Sequence, residues 1–293
     1  MLQTPVGTPQ TDRYGAYGLT LRGLEAAAML LVPAPAAWPP LTVLRAPAVE
    51  PPPREDTVGR DEARLPLAGG GWMHVQRDPA RVRFHLATPR RDGDLVHPYL
   101  APAAALVARW AGRESFHAGA VLVGDGAWGV LGDKEQGKST LLAWLALHSH
   151  AILSDDLLVL ERGAAAAGPR CLDLREASAR QLGVGEPLGV VGARARWRVP
   201  LGSAPALAPL RGWITLAWGD EMALEPLRGP ERLLALLPHR SVQLEPPSPA
   251  ELIALSSLPV VRFTRPRRWD QLGAGAERLL AALREPGGLE QRP

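Results

Sequence analysis

Apolar and polar positions change rhythm partway along this 293-residue chain. Up to about residue 95, short alternating or β-forming runs lie between Gly and Pro breaks. Residues 17–21, 72–76 and 82–86 are expected as strands. Residues 33–53 are so dense in Pro that surface connections without regular structure are expected there. This stretch predicts a small β-rich lobe. From His97 the pattern lengthens, and residues 101–110 are expected as a helix. Two apolar runs, 118–123 and 128–131, flank Gly124-Asp125-Gly126 and predict a β-hairpin. Residues 140–147, rich in Leu and Ala, predict a helix. Residues 151–153 predict a short buried strand that ends at Ser154-Asp155-Asp156, with apolar residues continuing through 157–160. Strands at 198–201 and 213–218 and helices at 231–237, 250–258 and 274–284 follow, without internal repeats. The expectation is an α/β protein with a β-rich lobe over 1–95 and a second unit over 96–293.

Composition narrows the class. Apolar residues make up 46% and charged residues 22%, the balance of a globular chain rather than a disordered one. A net charge of +3 spread along the chain argues against a nucleic-acid surface. No run of 18 apolar residues suggests a membrane span. The single Cys171 excludes an internal disulfide and fits a reducing compartment. The opening Met1-Leu2-Gln3-Thr4-Pro5 lacks the layout of a signal peptide. A soluble, cytoplasmic protein with neither nucleic acid nor membrane as partner is expected.

The charge inventory then points to one place. Lysine and arginine together number 33, yet only Lys134 and Lys138 are lysine. Both fall within Gly132-Asp133-Lys134-Glu135-Gln136-Gly137-Lys138-Ser139, followed by Thr140, which fits the phosphate-binding pattern G-x-x-x-x-G-K-[ST]. A compact ammonium can follow a triphosphate in a way that a broad guanidinium cannot. The two glycines permit a turn whose N–H groups face inward around phosphate oxygens. The helix that follows adds the partial positive charge of its N-terminus. In such a loop Lys138 would reach the β and γ phosphates and the Ser139 hydroxyl would ligate Mg²⁺.

Asp155 and Asp156, at the end of the strand that follows, supply paired carboxylates. An acid there serves as a Mg²⁺ partner or as a base in nucleotide-binding folds. Ser-Asp-Asp is also good helix-capping chemistry.

Phe116-His117-Ala118-Gly119-Ala120-Val121, the lysine-bearing loop, Leu153-Ser154-Asp155-Asp156 and Leu172-Asp173-Leu174-Arg175 together resemble the catalytic domain of bacterial HPr kinase/phosphorylase and its relatives. The resemblance spans roughly residues 97–220 and implies a phosphoenolpyruvate-carboxykinase-like core. It implies Asp156 as proton acceptor with Asp155 beside it, Ser139 and Asp173 as metal ligands, and His117 as a supporting residue. It also implies ATP and Mg²⁺, and a homo-oligomer in many relatives. Residues 1–95 do not resemble that family's N-terminal domain, and Glu135 and Gln136 stand where its loop carries small residues. Lys134 is expected to offset Glu135.

The shorter relatives that accompany peptide-modification genes suggest a phosphotransferase acting on a serine of a peptide or small protein. A nucleotide-dependent sensor without transfer, motivated by Glu135-Gln136, and a small-molecule kinase are the alternatives. Arg175, Arg194, Arg196 and Arg198 could neutralise a transferring phosphate, with surface solvation the favoured expectation for each, and Trp269 is expected as a packing residue beside Arg265-Pro266-Arg267-Arg268.

Overall fold

The computed structural model describes residues 13–242 and 249–284 of the chain. The first twelve residues of the expected β-rich lobe, and the Met1–Pro5 opening, lie outside them. The fold is mixed α/β with three sheets.

The first sheet has eight strands, all within the first 86 residues. The expected strands at 72–76 and 82–86 form as Gly71–Gln76 and Arg81–Leu86. The expected run at 17–21 divides: Tyr17 and Gly18 are a turn between Tyr14–Ala16 and Leu19–Arg22. The Pro-dense stretch is a correction. Pro40–Pro47 is an eight-residue strand, parallel to Leu19–Arg22 on one side and to Arg81–Leu86 on the other. Its prolines occupy the two ends, so the N–H groups between them stay free for the ladder. Leu41 and Val43 carry it into the core.

The second sheet positions the site. Ala118–Val123 and Gly126–Leu131 form the expected hairpin, in register from Ala118 opposite Leu131 to Val123 opposite Gly126. Ile152–Ser154 adds antiparallel to the outer side of Ala118–Val123. On the other side Gly126–Leu131 runs parallel to Leu207–Trp218, which runs parallel to Val260–Arg265. Four strands therefore point the same way, and Ala118–Val123 points against them. Their carboxyl ends deliver the glycine loop, Asp155-Asp156, Trp218 and Arg265 to one edge of the sheet. The amino end of Ala118–Val123 delivers His117 to the same edge. Open α/β sheets bind ligands at that edge.

The expected helices form as Leu100–Trp110, Lys138–Leu147, Pro230–Leu236, Pro249–Ser257 and Leu272–Arg284. Pro102 sits in the first turn of its helix, where an N–H would lack an intrahelical partner anyway. Leu100–Trp110 buries Ala103, Ala104, Leu106 and Ala108 in a core that also contains Leu41 and Phe84 of the first sheet and Phe116 and Trp213 of the second. A second core packs Leu141, Leu142 and Leu145 against Leu279 and Leu280 of the last helix. The third sheet holds Cys171–Leu174, Arg194–Pro200 and Glu186–Val191, in that order with the second strand central. Among the described residues no helix is long and apolar enough to cross a membrane.

Candidate active site

Gly132 to Gly137 leaves the end of a fully buried strand and turns into Lys138–Leu147. Gly137 caps that helix in the left-handed region, at φ +76°. A Cβ there would stand 3.0 Å from Arg265 Nη2 and 3.1 Å from the Trp218 ring, so both φ and space call for glycine. The loop is stitched to itself and to the neighbouring strand ends. Gln136 accepts from the Asp133 N–H through its side-chain oxygen at 2.9 Å. The Gln136 carbonyl accepts from Arg265 at 2.6 Å, and the Glu135 carbonyl accepts from the Trp218 indole at 3.2 Å. Lys134 is exposed, and the charge of Glu135 is met instead by Arg175, at 3.0 Å. The expected Lys134–Glu135 offset is therefore replaced by a cross-loop ion pair. Thr140 shares a hydrogen bond of 3.0 Å with Ser178.

Lys138 is only 6% exposed, and its ammonium donates to the His117 carbonyl at 3.3 Å. Burial lowers its pKa while Asp155, Asp156 and Asp133 oppose that shift. Ser139 donates to the Asp155 carboxylate, 3.2 and 3.3 Å from its two oxygens. Asp155 is buried, and burial together with the charge of Asp156 raises its pKa to about 7. Asp156 is half-buried and shifts the other way. Burial alone would raise it, but His97, Lys138, His117 and Arg196 outweigh that and hold it below the ordinary carboxylate value. Neighbouring carboxyls driven apart in this manner are suited to different tasks. Asp156 also holds φ +65°, a left-handed conformation that Asp tolerates better than most residues. The turn behind it is pinned by Ser154, which donates to the Leu157 carbonyl at 2.6 Å.

The loop, His117, Asp156, Asp173 and Arg194 line one cleft of about 780 Å³. The His117 N–H donates to the His239 carbonyl at 2.6 Å. Its ring meets the cleft, and desolvation followed by Lys138 lowers its basicity. The side chain of Asp173 is buried. Both of its oxygens accept from Arg198, at 2.9 and 3.1 Å, and Arg196 lies 3.6 Å away. Asp173 is thus a buried, guanidinium-bound carboxylate at the cleft wall, whereas Ser139 and Asp155 are joined directly. Arg196 and Arg198, expected as solvated, are largely buried around Asp173. Trp269 is a second correction. The residue is 43% exposed and lines the cleft instead of packing in a core. Arg265 stands 4.3 Å over the Trp218 ring, and burial lowers its pKa to about 10.

One residue at this centre carried no signal in the chain's pattern. His97, marked there only by a change of rhythm, is 1% exposed, with Nε2 3.9 Å from Asp156 and 3.8 Å from Asp173. Tyr17, from a turn of the first sheet, is fully buried, and its pKa is raised by burial first and then by the charge of Asp156.

No protein-family model matches the chain, and no curated protein does. A solved structure of the HPr(Ser) kinase/phosphatase from Coxiella burnetii is similar at a TM-score of 0.30 and 15% identity, covering 58% of this chain and 96% of that one. At that level the residues of the cleft, not the likeness, carry the functional reading.

Proposed function

We propose that the protein is an ATP- and Mg²⁺-dependent phosphotransferase acting on a hydroxyl, with a serine of a peptide or small protein as the acceptor. One observation supports this above the others: a buried lysine, a left-handed glycine and paired carboxylates converge at the carboxyl ends of parallel strands in one cleft. The N-terminus of the ten-residue helix Lys138–Leu147 faces that cleft with its loop amides. The chemistry fits a polyphosphate, because partial and full positive charge meet where acceptor oxygens would lie.

In this reading Lys138 and the loop amides grip the β and γ phosphates. Ser139, backed by Asp155, would hold Mg²⁺, which neutralises phosphate charge when bound. Asp173 holds Arg198, with Arg196 beside it, behind the cleft wall. Asp156, ionised and facing the cleft, accepts the proton of the acceptor hydroxyl as that oxygen attacks the γ phosphorus. The bond from the γ phosphorus to its bridging oxygen breaks, and ADP leaves. His117 fixes Lys138 through its carbonyl. Mixing protein, ATP, Mg²⁺ and serine peptides, and reading intact mass, tests the reading. A gain of one phosphate on the peptide supports it; ATP binding without transfer to any peptide or metabolite hydroxyl would favour the sensor alternative.

We assign Trp269, which is exposed and lines the same cleft, to the base of the nucleotide. Base–aromatic stacking is worth about 1–3 kcal/mol. Trp269→Ala is expected to weaken ATP binding by roughly 5- to 150-fold at that energy, while binding of inorganic tripolyphosphate stays unchanged. Calorimetric titration with each ligand checks this. Equal losses for both ligands would remove the base-stacking role.

A further inference from the structure

We infer that His97, Asp155 and Asp156 form a second metal site, behind the carboxylates and separate from the Mg²⁺ that travels with the nucleotide. It would take a transition-metal dication of the Mn²⁺ to Zn²⁺ series. The site shares Asp155 and Asp156 with the phosphotransfer reading, but it is tested apart from it, because its ligands all belong to the protein and no nucleotide is needed to complete it.

The argument begins with an anomaly. Both ring nitrogens of His97 are buried and without a hydrogen-bond partner. An unmet buried polar group costs about 1–3 kcal/mol, so such groups call for an explanation. The ring is aimed at acids, yet no bond forms. Nε2 stands 3.9 Å from Asp156 Oδ2, well beyond the hydrogen-bonding range of about 2.7–3.2 Å. Two ligands that each bind one ion at about 2.0–2.2 Å lie roughly 3–4 Å apart. The spacing fits a shared ion and not a direct contact. His97, Asp155 and Asp156 each offer one such atom, and the three atoms all lie within 4.8 Å of one another.

The surrounding charges select these acids. Asp173 lies as close to His97, at 3.8 Å, but Arg198 already holds both its oxygens. Asp155 accepts from Ser139, and among the described residues no guanidinium holds Asp155 or Asp156 as Arg198 holds Asp173. An imidazole nitrogen with two carboxylate oxygens suits Mn²⁺, Fe²⁺ or Zn²⁺, whereas Mg²⁺ prefers an all-oxygen shell. His97 is not part of the cleft lining, while Asp156 is. The ion therefore sits on the closed side, and Asp155 is the wall between it and Ser139. It would hold Asp156 in its left-handed turn with one oxygen still turned to the cleft.

The test uses the full-length protein, stripped by chelator and then titrated with Mn²⁺ alone, with no nucleotide present. Electron spin-echo measurements read ¹⁴N coupling to bound Mn²⁺. Wild type is expected to bind one Mn²⁺ with clear ¹⁴N modulation, replaced by ¹⁵N modulation when histidine is ¹⁵N-labelled. His97→Gln should abolish the modulation and weaken Mn²⁺ by at least the ~10–100-fold that even an outer-shell partner contributes. His117→Gln, which alters the cleft side, should keep the modulation, so the assignment stands even if His97→Gln does not fold. Wild type that binds no Mn²⁺ without nucleotide, or binds it without nitrogen coupling, would overturn the inference. So would modulation that His117→Gln removes. None of these outcomes touches ATP binding, which is measured separately.

Discussion

Lys138→Met is expected to weaken ATP binding by roughly 30- to 5,000-fold while leaving the fold intact. Lys138 is almost wholly buried, so its ammonium acts without full screening by water. Removing one member of a buried, hydrogen-bonded charge pair costs about 2–5 kcal/mol, or roughly 30- to 5,000-fold in affinity. Methionine keeps the length and apolar stem that pack beside the loop, and it removes only the charge and its donors. The bond to the His117 carbonyl, at 3.3 Å, is already long, so the protein alone loses little. Calorimetric titration of ATP with Mg²⁺, beside a circular-dichroism spectrum, gives the answer. A folded Lys138→Met protein that binds ATP as wild type does would remove the triphosphate from this loop, and the phosphotransfer reading with it.

Asp156→Asn is expected to leave ATP affinity within a few fold and to cut transfer to the peptide by about 10²–10⁴, the usual contribution of general-base assistance. Asparagine tolerates the left-handed backbone that this position requires, so the turn should survive. What changes is the capacity to accept a proton. Asp156 is the member of the pair held ionised and facing the cleft, while Asp155 is buried against Ser139 with its pKa raised. Rates of phosphopeptide formation at saturating ATP, followed by intact mass, decide the matter. Unchanged turnover would move the base elsewhere.

The site was legible in proportion to how local its signals are. The loop from Gly132 to Ser139 declares itself because its chemistry is contained in eight consecutive residues, and the left-handed Gly137 is a backbone demand that only its own position can meet. Paired acids directly after a short apolar strand are equally local. The hairpin and the helices followed from turn residues and from apolar spacing, each set by neighbours in the chain. Trp269 was misplaced for the opposite reason. Whether an indole packs inside or lines a cleft depends on segments far away in sequence, here the loop after Gly132 and the end of Leu207–Trp218, which line the same cleft.

What the chain determined alone was a glycine-lysine loop of the pattern G-x-x-x-x-G-K-[ST], two carboxylates after it, and the order of elements that carries them. Tertiary structure alone decided that four parallel strand ends would meet and bring Trp218 and Arg265 onto the loop. It alone paired Asp173 with Arg198 and brought His97 against Asp156. The physical reason is range. Backbone conformation and short motifs are governed by adjacent residues, whereas burial and charge pairing arise between segments that only the closed core brings within a few ångströms.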